Sequence, residues 1–135
     1  MEILGFKKCV INDRYMLLNK PWTKDLMRKM RSYSAGAIQY IDYEFTTEPE
    51  VFLKEYPGRK IVAAAPGSGV FSIDDFEFRN NDIVIFGAEA DGLTPGFDKY
   101  CDVQVTIPAV GVTNSMNVSV AAGIVLYLAR KSLDN

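Results

Sequence analysis

The chain has 135 residues, 48% of them hydrophobic and 24% charged, with a formal net charge of −2. That is the balance of an ordinary globular domain long enough to bury a core, so a single domain over residues 1–135 is expected. No histidine occurs, and the two cysteines, Cys9 and Cys101, stand far apart; this excludes Ser-His-Asp and Cys-His nucleophile systems, His-ligated or Cys-x-x-Cys metal sites and a disulfide framework, and it points to a reducing cytoplasm.

The N-terminal stretch "MEILGFKKCVIND" has no long apolar region with a cleavage signal, and the longest apolar run, near Val120–Ala129, is too short to span a bilayer; neither export nor a membrane partner is expected. "KKCVIND" reads as a short strand. "PWTKDLMRKMRSY" follows as a helix from about Thr23 to Tyr33, with Pro21 and Thr23 as start signals. On it Trp22, Leu26, Met30 and Tyr33 recur at helical spacing, while Lys24, Arg28 and Arg31 form a second, basic stripe. Residues 1–31 hold eight basic side chains against three acidic ones, and the remainder seven against fourteen. A local attraction for a polyanion is therefore possible on a slightly acidic molecule, and the basic stripe is either an RNA-contacting face or merely solvated.

"IQYIDY" is a weaker strand candidate, and "TTEPEVFLKEY" reads as a helix capped by Thr46 or Thr47, with acids in its first turn and Pro57-Gly58 beyond its end. "KIVAAA", "DIVIFG" and "CDVQVTIP" are short apolar runs bounded by Gly, Pro or Asp, as strands buried on both faces should be. A last helix starts near Ser115. Its mouth, "NSMNVS", carries four polar residues, Asn114, Ser115, Asn117 and Ser119, where one cap would suffice. Alternating strands and helices imply an α/β fold with a mostly parallel sheet between helices.

In such sheets ligands sit at the carboxyl ends of the strands, which singles out the loops "AAAPGSG" (63–69), "FGAEADGLTPG" (86–96) and "IPAVGVTNSMNVS" (107–119). None matches a phosphate-cradling Walker loop or the G-x-G-x-x-G fingerprint. "DIVIFGAEADGL" and "VTIPAVGVTNSMNVSVAAGIVLYLAR" instead resemble the second and third motifs of the SpoU (TrmH-type) RNA 2′-O-ribose methyltransferases of the SPOUT superfamily. The matching positions are Gly87, Glu89, Gly92 and Leu93 in the first, and Ile107, Pro108, Gly111, Ser115, Asn117, Val118 and Ser119 in the second; Ala109 and Met116 replace the family's Met and Leu. The resemblance runs back to Gly5-Phe6.

The resemblance implies an α/β knot, with a C-terminal trefoil that departs from the general rarity of knots, and a homodimer through the C-terminal helix. It implies S-adenosylmethionine as cofactor, with S-adenosylhomocysteine as product, held by Gly87, Ile107, Pro108, Gly111, Ser115 and Met116, and by the Ala64, Ala65 and Pro66 loop below the adenosyl group. Ser115 and Asn117 would stand beside the methyl group and the target ribose, and Glu89 would orient a neighbour or simply bond to backbone N–H groups. The substrate implied is a ribose 2′-hydroxyl of tRNA or rRNA, contacted by Lys24, Arg28 and Arg31. No metal is implied. The family's first strand and motif-1 helix, with its Asn-x-x-x-x-x-Arg, would fall upstream of Met1. Two readings follow: a methyltransferase whose chain here starts late, or a shortened, non-catalytic dimer that binds RNA or cofactor.

Overall fold

In the computed structural model, the described residues are 1–14, 16, 20–21, 23–63, 70–88, 92–93, 95–112 and 116–134. They fall into two compact units, Met1–Phe52 and Leu53–Asn135.

The first unit is built on β1 (Lys8–Asn12) and β2 (Asp42–Thr46), paired in parallel with Cys9 opposite Tyr43 and Ile11 opposite Phe45. Parallel strands need a crossover, and α1 (Thr23–Tyr33) supplies it. The helix lies where its sequence pattern predicts, but rotated: Met27 and Met30 are half-buried, whereas Leu26 is 41% and Tyr33 84% exposed. The proposed apolar stripe is thus split, and Trp22 lies outside the described residues. "IQYIDY" is corrected. Ala35 and Gly36 both take positive φ, 49° and 83°, which turns the chain into a 3-10 turn over Ala37–Tyr40 and delays the strand to Asp42. Apart from Pro49 at its boundary, no apolar side chain of this unit is buried among the described residues. Instead Cys9, Ile11, Met30, Ile38, Ile41 and Tyr43 line an open groove of ≈590 Å³.

Helix α2 (Pro49–Glu55) carries the chain across the division; Thr46 Oγ1 accepts from Glu48 N–H just ahead of it. The second unit holds a four-stranded sheet in the order β4-β6-β3-β5, all neighbours parallel. These are β3 (Lys60–Ala63), β4 (Phe71–Ser72), β5 (Ile83–Phe86) and β6 (Val103–Thr106). Consecutive strand residues face opposite sides, yet Ile61 and Val62 are 0% and 3% exposed. The sheet is covered on both faces, as its unbroken apolar runs predict. β4 was not legible in the sequence; two residues suffice because β6 fixes their register.

Helix α3 runs from Val118 to Leu133, three residues later than Ser115. Val118, Ala121, Ala122, Val125, Leu126 and Ala129 are among its buried or half-buried residues, and Ser119, Val120, Gly123 and Tyr127 among its exposed ones. The sheet's entry edge is clamped by Asp102, which accepts the Lys60 N–H at 2.7 Å, and by Arg59, whose guanidinium meets the Asp82 carboxylate at 2.6 and 2.9 Å.

Candidate functional site

Parallel register sets the site. Ala63 lies level with Phe86 of β5 and Val105 of β6, and Ser72 with Thr106, so the strands release their loops at one edge. There the chain continues into Gly87 after β5 and into Ile107–Val112 after β6. The described residues at this edge, 61–63, 70–73, 83–88, 103–112 and 116–129, carry no charged side chain, and the 86–96 stretch that follows β5 adds two carboxylates, Glu89 and Asp91, but no cation. Their chemistry suits a ligand read by backbone groups and apolar contact rather than by ion pairs.

Gly87 is half-buried, and its role is close packing of backbone on backbone. A Cβ there would lie 2.6 Å from Leu93 N and 2.7 Å from Gly92 O. The chain returns at that point in a narrow antiparallel bridge, with Ala88 N–H donating to Gly92 O at 2.8 Å and Gly92 N–H to Ala88 O at 2.9 Å. Gly92 itself takes φ 64°, where a Cβ is strained. A side chain at residue 87 would therefore meet the Gly92–Leu93 backbone.

Asn117 is the cap of α3, its Oδ1 accepting from Ser119 N–H at 2.8 Å and from Ser119 Oγ–H at 2.6 Å. Both acceptor directions are thereby used, and the exposed side chain keeps its NH₂ group as a donor. Ile107 is half-buried at the end of β6; Pro108, Gly111 and Met116 are exposed. Ala64, Ala65, Pro66, Glu89 and Ser115 lie outside the described residues. The structure thus brings Gly87 and Ile107 to one edge, with Asn117 at the head of the following helix.

Lys24, Arg28 and Arg31 are exposed on α1, in the first unit. Arg28 is ion-paired to Asp25 at 2.5 Å, and Asp25 also holds Lys29 at 3.0 Å, a residue the sequence pattern passed over. These hydrogen bonds, Arg28 first and Lys29 second, keep the Asp25 carboxyl below the usual carboxylate range. Both thiols are pushed up from their ordinary value, chiefly by burial; at Cys101 the neighbouring Asp102 and Asp98 add to it. Neither is a thiolate nucleophile near neutral pH. Among the described residues no cluster of metal-ligating side chains occurs, and no helix is long and apolar enough to cross a membrane.

Comparison with known proteins places these features in context. Residues 2–127 match the family described as the SpoU rRNA Methylase family. The 23S rRNA (guanosine-2′-O-)-methyltransferase RlmB of Acinetobacter baylyi is 32% identical over 102 residues, covering 76% of this chain and 41% of its own. The tRNA (guanosine(18)-2′-O)-methyltransferase of Escherichia coli is 26% identical over 116 residues, covering 84% of this chain and 51% of its own. This chain therefore spans about half the length of these relatives or less. Among solved structures, the A. aeolicus TrmH/SpoU tRNA modifying enzyme superposes with a TM-score of 0.80 at 22% identity, over 97% of this chain and 64% of that one. The SpoU methyltransferase AviRb from Streptomyces viridochromogenes, solved with AdoMet, gives 0.77 at 22% identity, over 96% and 51%.

Proposed function

This chain belongs to the SpoU rRNA methylase family, and from that premise we propose that it is an S-adenosylmethionine-dependent RNA methyltransferase acting on a ribose 2′-hydroxyl of tRNA or rRNA. The observation that carries the reading is the cation-free edge where β3, β5 and β6 end, which bears the family's Gly87 and Ile107–Asn117 motifs. A sulfonium ligand is repelled by nearby cations, and an adenosyl group is held well by apolar side chains and backbone N–H and C=O groups; this edge has that donor set. Gly87, Ile107, Pro108, Gly111, Ser115 and Met116 would hold the cofactor, with Ala64, Ala65 and Pro66 beneath it.

The cofactor supplies an activated methyl group when bound. The protein's part is to align the ribose hydroxyl, exclude water and help draw off the hydroxyl proton. Asn117, whose oxygen is committed to the helix cap, offers its NH₂ group to the ribose side; Ser115 and Glu89 are the remaining polar candidates at the reacting atoms. Lys24, Arg28 and Arg31 hold RNA phosphates.

We further read the chain as one methyltransferase domain of the cytoplasm, knotted where the 64–69 and 107–117 loops meet the sheet, and dimeric through α3. The position of β6 between β4 and β3 supports the knot. The exposed Val120, Gly123 and Tyr127 support the dimer.

Transfer is tested with methyl-tritiated cofactor and total tRNA or rRNA, followed by nuclease mapping. Label on a ribose 2′-oxygen is expected, with a loss of about 10²-fold or more in Asn117→Ala beyond any loss of stability. Asn117→Ser, which preserves the cap, separates the two roles. Label on a base nitrogen contradicts the reaction class. Cofactor binding without transfer supports the non-catalytic module instead.

A further inference from the structure

On α1 the residues Asp25, Arg28, Lys29, Ser32 and Tyr33 follow one another at helical spacing on a single face. The last four line a hollow of ≈250 Å³, below the size of a site that encloses a whole small ligand, and suited to one unit of a polymer. Its contents are specific. The Tyr33 ring is 84% exposed, an unusual position for an aromatic side chain on a helix with half-buried methionines to spare. Arg28 and Lys29 are held beside it by the two oxygens of Asp25, at 2.5 and 3.0 Å. Among the described residues neither Lys24 nor Arg31, on the same helix, has a carboxylate partner, so the helix keeps a positive surplus. Tyr33 borders two surfaces, the Ser32 and Arg28 side of this hollow and the apolar groove lined by Ile11, Met30 and Ile38, so the ring is held at the boundary between apolar and cationic surface.

We propose that this hollow is a nucleotide subsite for single-stranded RNA, in which one base stacks on Tyr33 while Arg28 and Lys29 take the adjoining phosphates and Ser32 donates to the sugar-phosphate chain. The inference rests on the reading that the chain acts on RNA and names where, away from the methyl-transfer edge, that RNA is gripped. Stacking on an exposed ring is tolerant of base identity, so the subsite strengthens binding without selecting a sequence.

The test is fluorescence anisotropy of the full chain, without cofactor, against a dye-labelled single-stranded oligoribonucleotide and an abasic ribose-phosphate oligomer of equal length. Tyr33→Ala is expected to weaken binding of the oligoribonucleotide about 10-fold and Tyr33→Phe to stay within about twofold of the parent. The abasic oligomer should be indifferent to both. Arg28→Gln and Lys29→Gln should each lower the slope of log affinity against log salt by about 0.7. Tyr33 is too exposed for its replacement to unfold the chain, which circular dichroism verifies. The subsite is overturned if Tyr33→Ala leaves RNA binding unchanged, if it weakens both oligomers alike, if the parent binds no RNA, or if phosphatidylserine vesicles are bound through Tyr33 in preference to RNA. Because no cofactor is present, these outcomes are independent of whether the chain binds S-adenosylmethionine.

Discussion

Gly87 and Asn117 show how a motif read from sequence changes meaning when its surroundings are known. Both were legible in the sequence as motif positions, because family motifs preserve residue type. The reason for each was not. The requirement for glycine at residue 87 comes from the Gly92–Leu93 backbone returning within 3 Å of the absent Cβ, a tertiary fact with no local signature. Gly87→Ala should therefore destabilise the second unit by about 1–3 kcal/mol, the usual cost of overpacking, and weaken cofactor binding together with stability. Urea unfolding and ligand titration on the same variant check this; a variant with parent stability and lost binding would return Gly87 to direct ligand contact. At the mouth of α3, sequence showed a surplus of capping residues but could not say which one caps. The hydrogen bonds from Ser119 assign that task to Asn117.

Among elements, the buried strands were the most legible and the exposed ones the least. Runs such as "KIVA" and "IVIF" are apolar on both faces because the sheet is covered on both, and composition alone reveals that. β4 is two residues long and exists only because β6 pairs with it. In α1 the period was right and the phase was wrong: Leu26 and Tyr33 have the apolar character of a core face but point outward, leaving Met27 and Met30 inside. The Arg59–Asp82 pair likewise joins residues 23 apart in sequence. Asp82 has only 6% of its side chain exposed, accepts from Arg79 N–H at 2.7 Å as well, and Arg59 reaches Glu77 O at 3.1 Å and stacks 5.3 Å above the Phe76 ring. Removing the carboxylate strands a half-buried guanidinium and a backbone donor. Asp82→Ala is expected to lower stability by about 2 kcal/mol in denaturant unfolding, and Asp82→Asn by less, since the amide retains an acceptor. Equal stability in all three proteins would show that the pair is merely a surface contact.

At the scale of the whole chain, the buried apolar side chains among the described residues, from Leu53 to Ala129, belong to the second unit, with Pro49 the one exception. That unit carries the strand edge, the glycine bridge and the capped helix on which the cofactor assignment rests; the first carries the basic helix. Composition foresaw a core of this kind, but not its confinement to one part of the chain. Val118, Ala121, Ala122, Val125, Leu126 and Ala129 of α3 are turned inward within the single chain, so the apolar surface this helix offers a second copy centres on Val120, Gly123 and Tyr127. Light scattering should give twice the 15.1 kDa chain mass, and Gly123→Glu, whose Cβ would meet no atom within 4 Å in the single chain, should return it to the monomer. A parent protein of 15.1 kDa at working concentrations rejects the dimer. The central claim, that the cation-free edge of the second unit holds S-adenosylmethionine, is tested most directly by isothermal titration calorimetry of the folded chain with that cofactor and with S-adenosylhomocysteine. The account predicts saturable binding at micromolar affinity or tighter, about −8 kcal/mol or better; folded protein that gives no binding heat with either ligand at several temperatures contradicts it.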